Sequence, residues 1–166
     1  PHLERLAQQT QYTALLSCVE GSNIVVIDQR VSGTGIQVAS EIGGRTPLHA
    51  TSQGKLLLSQ LPDATVRYLM NGQGMDPFTP HTIVDLATLT EELERIRQWG
   101  YAIENGEYKI GLRSVSAPVF DREGQMRYTL TVVGLFRHVT SGEFEKAVDM
   151  VCAAAGSLSR ELGYHA

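Results

Sequence analysis

Alternation of apolar and polar residues predicts β-strands in both halves of the chain. Turn-forming residues separate the strands: Glu20-Gly21-Ser22-Asn23 and Asp121-Arg122-Glu123-Gly124 are each typical of a hairpin connection. Strands joined by such short turns are antiparallel neighbours. The predicted strands are Thr13 to Val19, Ile24 to Val31, Ile36 to Ala39, Tyr101 to Glu104, Leu112 to Phe120 and Met126 to Phe136.

Apolar residues that recur every three or four positions predict the helices. Thr88-Leu89-Thr90-Glu91 matches a capping box, and the helix that it begins ends at Gly100, a residue suited to a left-handed cap. Hairpins that alternate with helices favour an α+β layer fold with a mainly antiparallel sheet. The predicted helices are His2 to Gln9, a segment from near Pro47 to Leu61, Ala64 to Met70, residues 88–99, and a long helix from Glu143 onward.

The start of the second helix is the stretch most suited to a binding site. Pro47 is compatible with a first helical turn, and Thr51, Ser52 and Gln53 place hydroxyl and amide groups close to it. The free N–H groups and partial positive charge of a helix start can hold a small anion. The alternative is an ordinary capped helix of the core.

Composition and charge limit the possible functions. The chain has 166 residues, which suits one domain, and its net charge of −4 argues against binding of nucleic acid by this chain alone. No apolar run is long enough to span a membrane. Cys18 and Cys152 lie far apart in apolar surroundings, which is typical of free thiols in a reducing cytoplasm, and a disulfide between them is the alternative. Because the chain begins with Pro1 and not Met, we expect it to belong to a longer protein.

Sequence signatures of enzymes, metal sites and nucleotide sites are absent. The histidines show no metal-ligand spacing, and no Gly-x-Ser-x-Gly motif occurs. A P-loop is excluded because His49 and Leu56 stand where it requires Gly and Ser or Thr. His49 is the one candidate base, with Thr51 or Ser52 as a nucleophile, but no carboxylate that would orient it can be identified. We therefore predict no catalytic residue, no metal and no cofactor.

Several landmarks follow one another in a recognisable order. After Glu20-Gly21 come Thr46-Pro47-Leu48-His49-Ala50-Thr51 with Gly54-Lys55, and then a segment from Glu92 that ends in Gly100-Tyr101. The most specific block is Gly111-Leu112-Arg113-Ser114-Val115-Ser116-Ala117-Pro118-Val119-Phe120-Asp121, followed by Gly124. This order resembles the C-terminal effector-binding domain of the IclR family of bacterial transcriptional regulators. The resemblance covers almost the whole chain, from about Leu3 to Leu162.

The resemblance implies a GAF- or profilin-like α+β fold, with a curved, mainly antiparallel sheet of about six strands flanked by helices. It implies that residues 1–166 form a single effector-binding domain without catalytic activity. It further implies that a winged helix-turn-helix DNA-binding domain, absent from this chain, belongs to the full protein. We therefore expect a cytoplasmic homodimer or homotetramer that contacts DNA only through that domain and does not bind membranes.

The resemblance also implies a ligand site between the sheet and the start of the second helix. Backbone N–H groups of Ser52 and Gln53 would hold the carboxylate of a small keto, hydroxy, sugar or aromatic acid. The matching positions are Thr46, Ser52, Gln53, Glu104, Ser114, Thr131 and Val133.

Two departures from the family pattern affect these expectations. The small residues usual before Gly-Lys are here Ser52 and Gln53, which predicts a narrower or more polar pocket. Gly134-Leu135 replaces the Gly-Pro that often closes the last strand. The identity of the ligand therefore cannot be copied from a relative.

The polar residues of the predicted pocket favour a polyhydroxylated acid. Its carboxylate would lie at the helix start and its hydroxyl groups would reach Glu104, whereas an apolar aromatic acid would leave Glu104 buried without a partner. Other hypotheses are a small hydrolase-like enzyme around His49 and a dimerisation module that binds no ligand.

Overall fold

The structure is a computed structural model that describes residues 1–33 and 37–166. Helices and strands alternate along the chain as the periodicities predict. In chain order the elements are α1 (His2–Thr10), β1 (Thr13–Glu20), β2 (Asn23–Arg30), α2 (Ser52–Ser59), α3 (Asp63–Gln73), α4 (Leu86–Trp99), β3 (Ala102–Asn105), β4 (Arg113–Phe120), β5 (Met126–Gly134) and α5 (Gly142–Glu161).

The strands form one antiparallel sheet in the order β2-β1-β5-β4-β3. The predicted α+β fold with an antiparallel sheet flanked by helices is confirmed, and among the described residues the sheet has five strands where about six were expected. Of the predicted strand at Ile36 to Ala39, Ile36 lies outside the described residues and the remainder is irregular. Beyond it the chain returns to the edge of β2 for a single bridge, between Val25 and Arg45, so this segment adds no full strand.

The two faces of the sheet differ in polarity. One face is apolar and packs against α1 and α5, with Ala14, Val115, Leu130 and Val132 fully or almost fully buried. The opposite face lies beneath α2 and carries buried hydroxyl groups next to a few apolar side chains. Its buried polar residues are Thr13, Ser17, Ser114, Ser116, Thr129 and Thr131. Because successive residues of a strand point to opposite faces, the same strands supply both surfaces.

Helix α2 begins later than the sequence predicts. Its N-cap is Thr51, whose backbone is extended and whose hydroxyl oxygen accepts a hydrogen bond from the Gly54 N–H at 3.1 Å. The prediction of a start near Pro47 was wrong, because the Pro47 carbonyl accepts from the Thr51 hydroxyl at 2.9 Å and residues 48–50 form turns. The cap places Ser52 and Gln53 at the first positions of the helix.

Helix α4 shows a second difference at its start. Asp85 is the N-cap and accepts a hydrogen bond from the Thr88 N–H at 2.8 Å, so the predicted capping box at residues 88–91 was wrong. Aspartate is as good an N-cap residue as threonine. Because Asp85 lies three residues before Thr88, the helix is about one turn longer than predicted. The predicted end was confirmed: Gly100 has a φ of +79° and a left-handed conformation.

Gly54 allows α2 to approach the chain segment that precedes it. A Cβ at this position would lie 2.5 Å from the Leu48 Cα and 2.7 Å from the Leu48 carbonyl oxygen, both of which are backbone atoms. Any side chain at Gly54 therefore requires the helix start and residues 48–51 to separate.

We expect Gly54→Ala to lower the free energy of unfolding by roughly 1–3 kcal/mol, the usual cost of overpacking. Gly72→Ala in α3 is the matched control, because a Cβ there meets nothing within 4 Å. The control should be neutral or stabilising by up to about 1 kcal/mol, since alanine is the better helix former. Urea unfolding measures both, and equal stabilities for the two variants would contradict the close approach.

Candidate ligand-binding site

A cavity of about 90 Å³ lies between the start of α2 and the polar face of the sheet. All of the residues predicted for the ligand site line it: Thr46, Ser52, Gln53, Glu104, Ser114, Thr131 and Val133. The remaining lining residues are Leu15, Val38, Ala39, Ser40, Thr51, Tyr108, Lys109 and Leu112. The structure thus brings together in one cavity side chains that stand far apart in the sequence.

The start of α2 contributes backbone donors to this cavity. Among the described residues, no acceptor is bonded to the N–H groups of Ser52 and Gln53, whereas the N–H of Gly54 is satisfied by Thr51. The Gln53 side chain is engaged elsewhere: its Oε1 accepts from the Ser17 hydroxyl at 2.7 Å, and its Nε2 donates to the Thr46 Oγ1 at 3.1 Å. The unbonded donors of the helix start are therefore main-chain groups.

Hydroxyl groups fasten the first turn of α2 to the sheet. The Ser52 Oγ lies 2.7 Å from the Ser114 Oγ and 2.8 Å from the Ser116 Oγ, and Ser116 in turn lies 2.6 Å from the Thr131 Oγ1. A buried hydroxyl without a partner is costly, so this chain of bonds stabilises the position of the helix start. Thr129, on the same face, is buried and its hydroxyl has no hydrogen-bond partner among the described residues.

Glu104 is the acidic residue of the cavity wall and is 2% exposed. It lies opposite Ser114 in the pairing of β3 with β4, and the Ser114 hydroxyl donates to its Oε2 at 3.4 Å. Burial, reinforced by the negative charge of Glu107, raises the pKa of Glu104 to about 8. Within the described part of the chain, no lysine or arginine forms an ion pair with this carboxyl group.

Lys55 of α2 does not line the cavity and is 1% exposed. Its Nζ donates to the Glu107 Oε1 at 2.8 Å, to the Ile103 carbonyl oxygen at 2.7 Å and to the Glu92 Oε1 at 3.1 Å. Burial alone would raise the pKa of Glu92, but Lys55 and Arg95 outweigh it and hold that pKa below its usual value. The ammonium group of Lys55 is therefore fully committed to these partners.

The loop between β3 and β4 covers part of the cavity and is anchored through Glu107. Thr82 donates its hydroxyl to the Glu107 carbonyl oxygen at 2.6 Å, and Thr79 bonds the Gly106 carbonyl oxygen at the same distance. These bonds hold Tyr108 and Lys109 at the cavity. Neither residue was predicted from the sequence, because only the folding back of this loop brings them to the cavity.

His49 does not support the hypothesis of an enzyme. Its Nε2 lies 2.9 Å from the Asp76 carbonyl oxygen and its ring packs beside Phe78, and it is not among the residues that line the cavity. The Thr51 hydroxyl, one candidate nucleophile, donates to the Pro47 carbonyl oxygen. No cluster of metal-binding side chains occurs in residues 1–33 and 37–166, and none of the helices described there is long and apolar enough to cross a membrane.

Comparison with known proteins decides the family. Residues 1–160 match the family model described as "Bacterial transcriptional regulator IclR C-terminal". This chain belongs to the IclR family. The membership confirms the resemblance, and it assigns the chain to a family of transcriptional regulators and not of enzymes.

Curated and solved IclR relatives agree with this assignment. The HTH-type transcriptional repressor AllR of Escherichia coli K12 is 28% identical over all 166 residues, which correspond to 61% of its own length. The crystal structure of the Thermotoga maritima IclR has a TM-score of 0.89 and 32% identity, and covers 98% of this chain and 66% of that one. The inducer-binding domain of Acinetobacter PobR, solved as a double mutant with 3-hydroxybenzoic acid, has a TM-score of 0.83 and 25% identity over 95% of this chain and 93% of that one.

The raised pKa of Glu104 makes stability depend on pH in a defined direction. Between about pH 4.5 and pH 8 the folded state retains a proton that the unfolded state has lost, so the free energy of unfolding falls as the pH rises. The slope approaches about 1.4 kcal/mol per pH unit for one group. Glu104→Gln removes this contribution, so its stability relative to the unaltered protein should rise from pH 5 to pH 8. Glu94→Gln, at an exposed position of α4, should show no such trend in urea unfolding.

Proposed function

We propose that this domain senses a small organic acid, whose carboxylate binds the backbone N–H groups of Ser52 and Gln53. The observation that carries the proposal is that these donors are unbonded and belong to buried residues that line the cavity together with other buried polar side chains. The partial positive charge at a helix start favours an anion there. Lys109, an exposed cation among the lining residues, adds to the attraction of an acid.

The lining of the cavity favours a compact acid that carries further oxygen atoms. Hydroxyl groups of Ser114 and Thr131 and the carboxyl group of Glu104 can each form a hydrogen bond with such a ligand. A volume of about 90 Å³ favours a keto or hydroxy acid of few carbon atoms over a large sugar acid or aromatic acid. The PobR domain in complex with 3-hydroxybenzoic acid supports the general class, a small acid with an additional hydroxyl group.

For the full protein we propose a repressor or activator whose DNA-binding domain lies outside these residues. The chain spans 61% of the length of AllR, which is named an HTH-type repressor, so that relative has room for a separate DNA-binding domain. Ligand binding would shift the population between two arrangements of the subunits that differ in affinity for the ligand. A homodimer or homotetramer would match the two-fold symmetry of a palindromic operator.

A side chain that fills the cavity should abolish ligand binding. Ala39 lines the cavity from an exposed loop, so Ala39→Trp should close the site without disturbing the core. In a thermal-shift screen of keto and hydroxy acids, a ligand at 100 times its Kd stabilises the protein by about 2.7 kcal/mol, and this gain should be lost in the variant.

Ala87→Trp is the matched control, because Ala87 is exposed in the first turn of α4 and does not line the cavity. It should keep the full stabilisation by the acid. If the acid stabilised Ala39→Trp and Ala87→Trp equally, the ligand would have to bind outside this cavity. A complete lack of response to every acid would favour a dimerisation module without a ligand.

The acidic chain should not bind DNA by itself at physiological salt. Its net charge is −4, and phosphate contacts from basic residues supply most of the affinity that is independent of DNA sequence. A mobility-shift assay on promoter DNA of the protein's own operon should show a complex with the full-length protein and none with residues 1–166. A retarded band with residues 1–166 alone would contradict the proposed division of labour.

A further inference from the structure

Two acidic residues near the cavity, Glu92 and Glu107, share the buried ammonium group of Lys55. Lys55 forms ion pairs with Glu107 and Glu92, at 2.8 Å and 3.1 Å, and also donates a hydrogen bond to the carbonyl oxygen of Ile103. Glu104 is the acid that this arrangement leaves without a direct cation. Of these acids it alone lines the ligand cavity.

We propose that Glu104 faces the effector as a neutral carboxylic acid that donates a hydrogen bond, so that the site prefers 2-oxo and 2-hydroxy acids to amino acids and loses affinity when Glu104 ionises. This inference rests on the proposed function, since it takes the effector to be a carboxylate. It adds the protonation state of the Glu104 carboxyl group and the class of ligand that this state favours.

Burial and the charge of Glu107 favour the neutral form of Glu104, and they outweigh the groups that favour its ion. The carboxylate of Glu107 lies close enough to repel a second negative charge, whereas the positive charge of Lys55 is shared with Glu107 and Glu92. The donors that do reach Glu104 are weak or single: the Ser114 hydroxyl at 3.4 Å and the Tyr108 backbone N–H. Glu92 faces Lys55 from α4 and adds a further negative charge to the cluster.

Lys109 does not change this balance. It is exposed, and its Nζ lies 5.7 Å from the centre of the Tyr108 ring. A ligand carboxylate at Ser52 and Gln53 would bring another negative charge into the same cavity, which favours the neutral form of Glu104 still more. Binding of the acid and protonation of Glu104 therefore support each other.

The protonation state of Glu104 decides which atom of a ligand can approach it. A neutral carboxyl group donates its O–H to a ketone or hydroxyl oxygen next to the ligand carboxylate. An ionised one would instead attract the ammonium group of an amino acid. Pyruvate and L-alanine differ only in this substituent on the carbon next to the carboxylate, so they form a matched pair of probes.

The first measurement needs no ligand. Carbon-13 NMR of the glutamate carboxyl groups, assigned through the backbone, follows the titration of Glu104 in the unaltered protein. We expect Glu104 to remain protonated at pH 7. A midpoint for Glu104 below pH 7 would overturn the inference, whether or not any acid binds.

The second measurement is calorimetric titration with pyruvate, L-lactate and L-alanine from pH 6 to pH 9. Affinity for the first two should be constant below about pH 7 and fall roughly tenfold per pH unit above the midpoint of Glu104, with uptake of one proton. L-alanine should bind more weakly at every pH. Tighter binding of L-alanine, or an affinity for pyruvate that is the same at pH 6 and pH 9, would overturn the inference and leave the proposed function standing. Absence of binding by both acids at all pH values would overturn the proposed function and this inference with it.

Variants identify the groups responsible. Glu104→Gln keeps an N–H donor and cannot ionise, so its affinity for pyruvate should not change between pH 7 and pH 9. Glu107→Gln removes the repelling charge and frees Lys55, so the fall in affinity should begin at a lower pH. Glu94→Gln, remote from the cavity, should keep the original profile. An unchanged profile for Glu104→Gln would assign the pH dependence to another residue and overturn the inference.

Discussion

The hydrogen bonds of Ser52 are the interaction on which the rest of this domain depends. A serine hydroxyl that is buried at the start of a helix needs hydrogen-bond partners on the surface against which the helix packs. Ser52 contacts Ser114 and Ser116 on β4, so the first turn of α2 is held to the sheet by polar contacts. The requirement extends along the strands, because Ser116 needs Thr131 in turn. One face of the sheet is therefore polar although it is buried, and a cavity with polar walls lies beside it.

The same helix carries the second constraint, a lysine that is fully withdrawn from water. Lys55 lies one turn after Ser52 and needs an acceptor for each of its ammonium protons. It finds them in Glu92, Glu107 and the carbonyl oxygen of Ile103. This demand fixes the position of the loop that follows β3, and it also explains why Glu104 has no cation of its own.

Between these two residues, Gly54 and Thr51 determine what remains free for a ligand. Gly54 permits close approach to Leu48, and the cap of Thr51 satisfies the N–H of Gly54 but not those of the two residues before it. The contacts of Ser52, Gln53 and Gly54 fix this helix start in place. Because it still has unbonded backbone donors, it is suited to binding an anion. The ligand site that we propose is built on this feature.

The sequence by itself determined the features that depend on neighbouring residues. The hairpin of β1 and β2 and the cap at Gly100 follow from local turn chemistry, and the order of helices and strands follows from periodicity. The start of α2 was misplaced because Pro47 permits a helical turn but does not require one, whereas the contact of Thr51 with Gly54 decides where the helix begins.

The resemblance to the IclR family predicted which residues belong to the site, and these residues line one cavity, but the chemical environment of each was decided by tertiary structure alone. Nothing near Glu104 in the sequence shows that it is paired with Ser114 on the neighbouring strand. Nor does the sequence show that Lys55 forms its ion pairs with other acidic residues. Tyr108 and Lys109 reach the cavity only because their loop folds back. Strand register and loop anchoring bring together residues that are distant in the chain, and the charge of a buried carboxyl group depends on that complete three-dimensional set of neighbours.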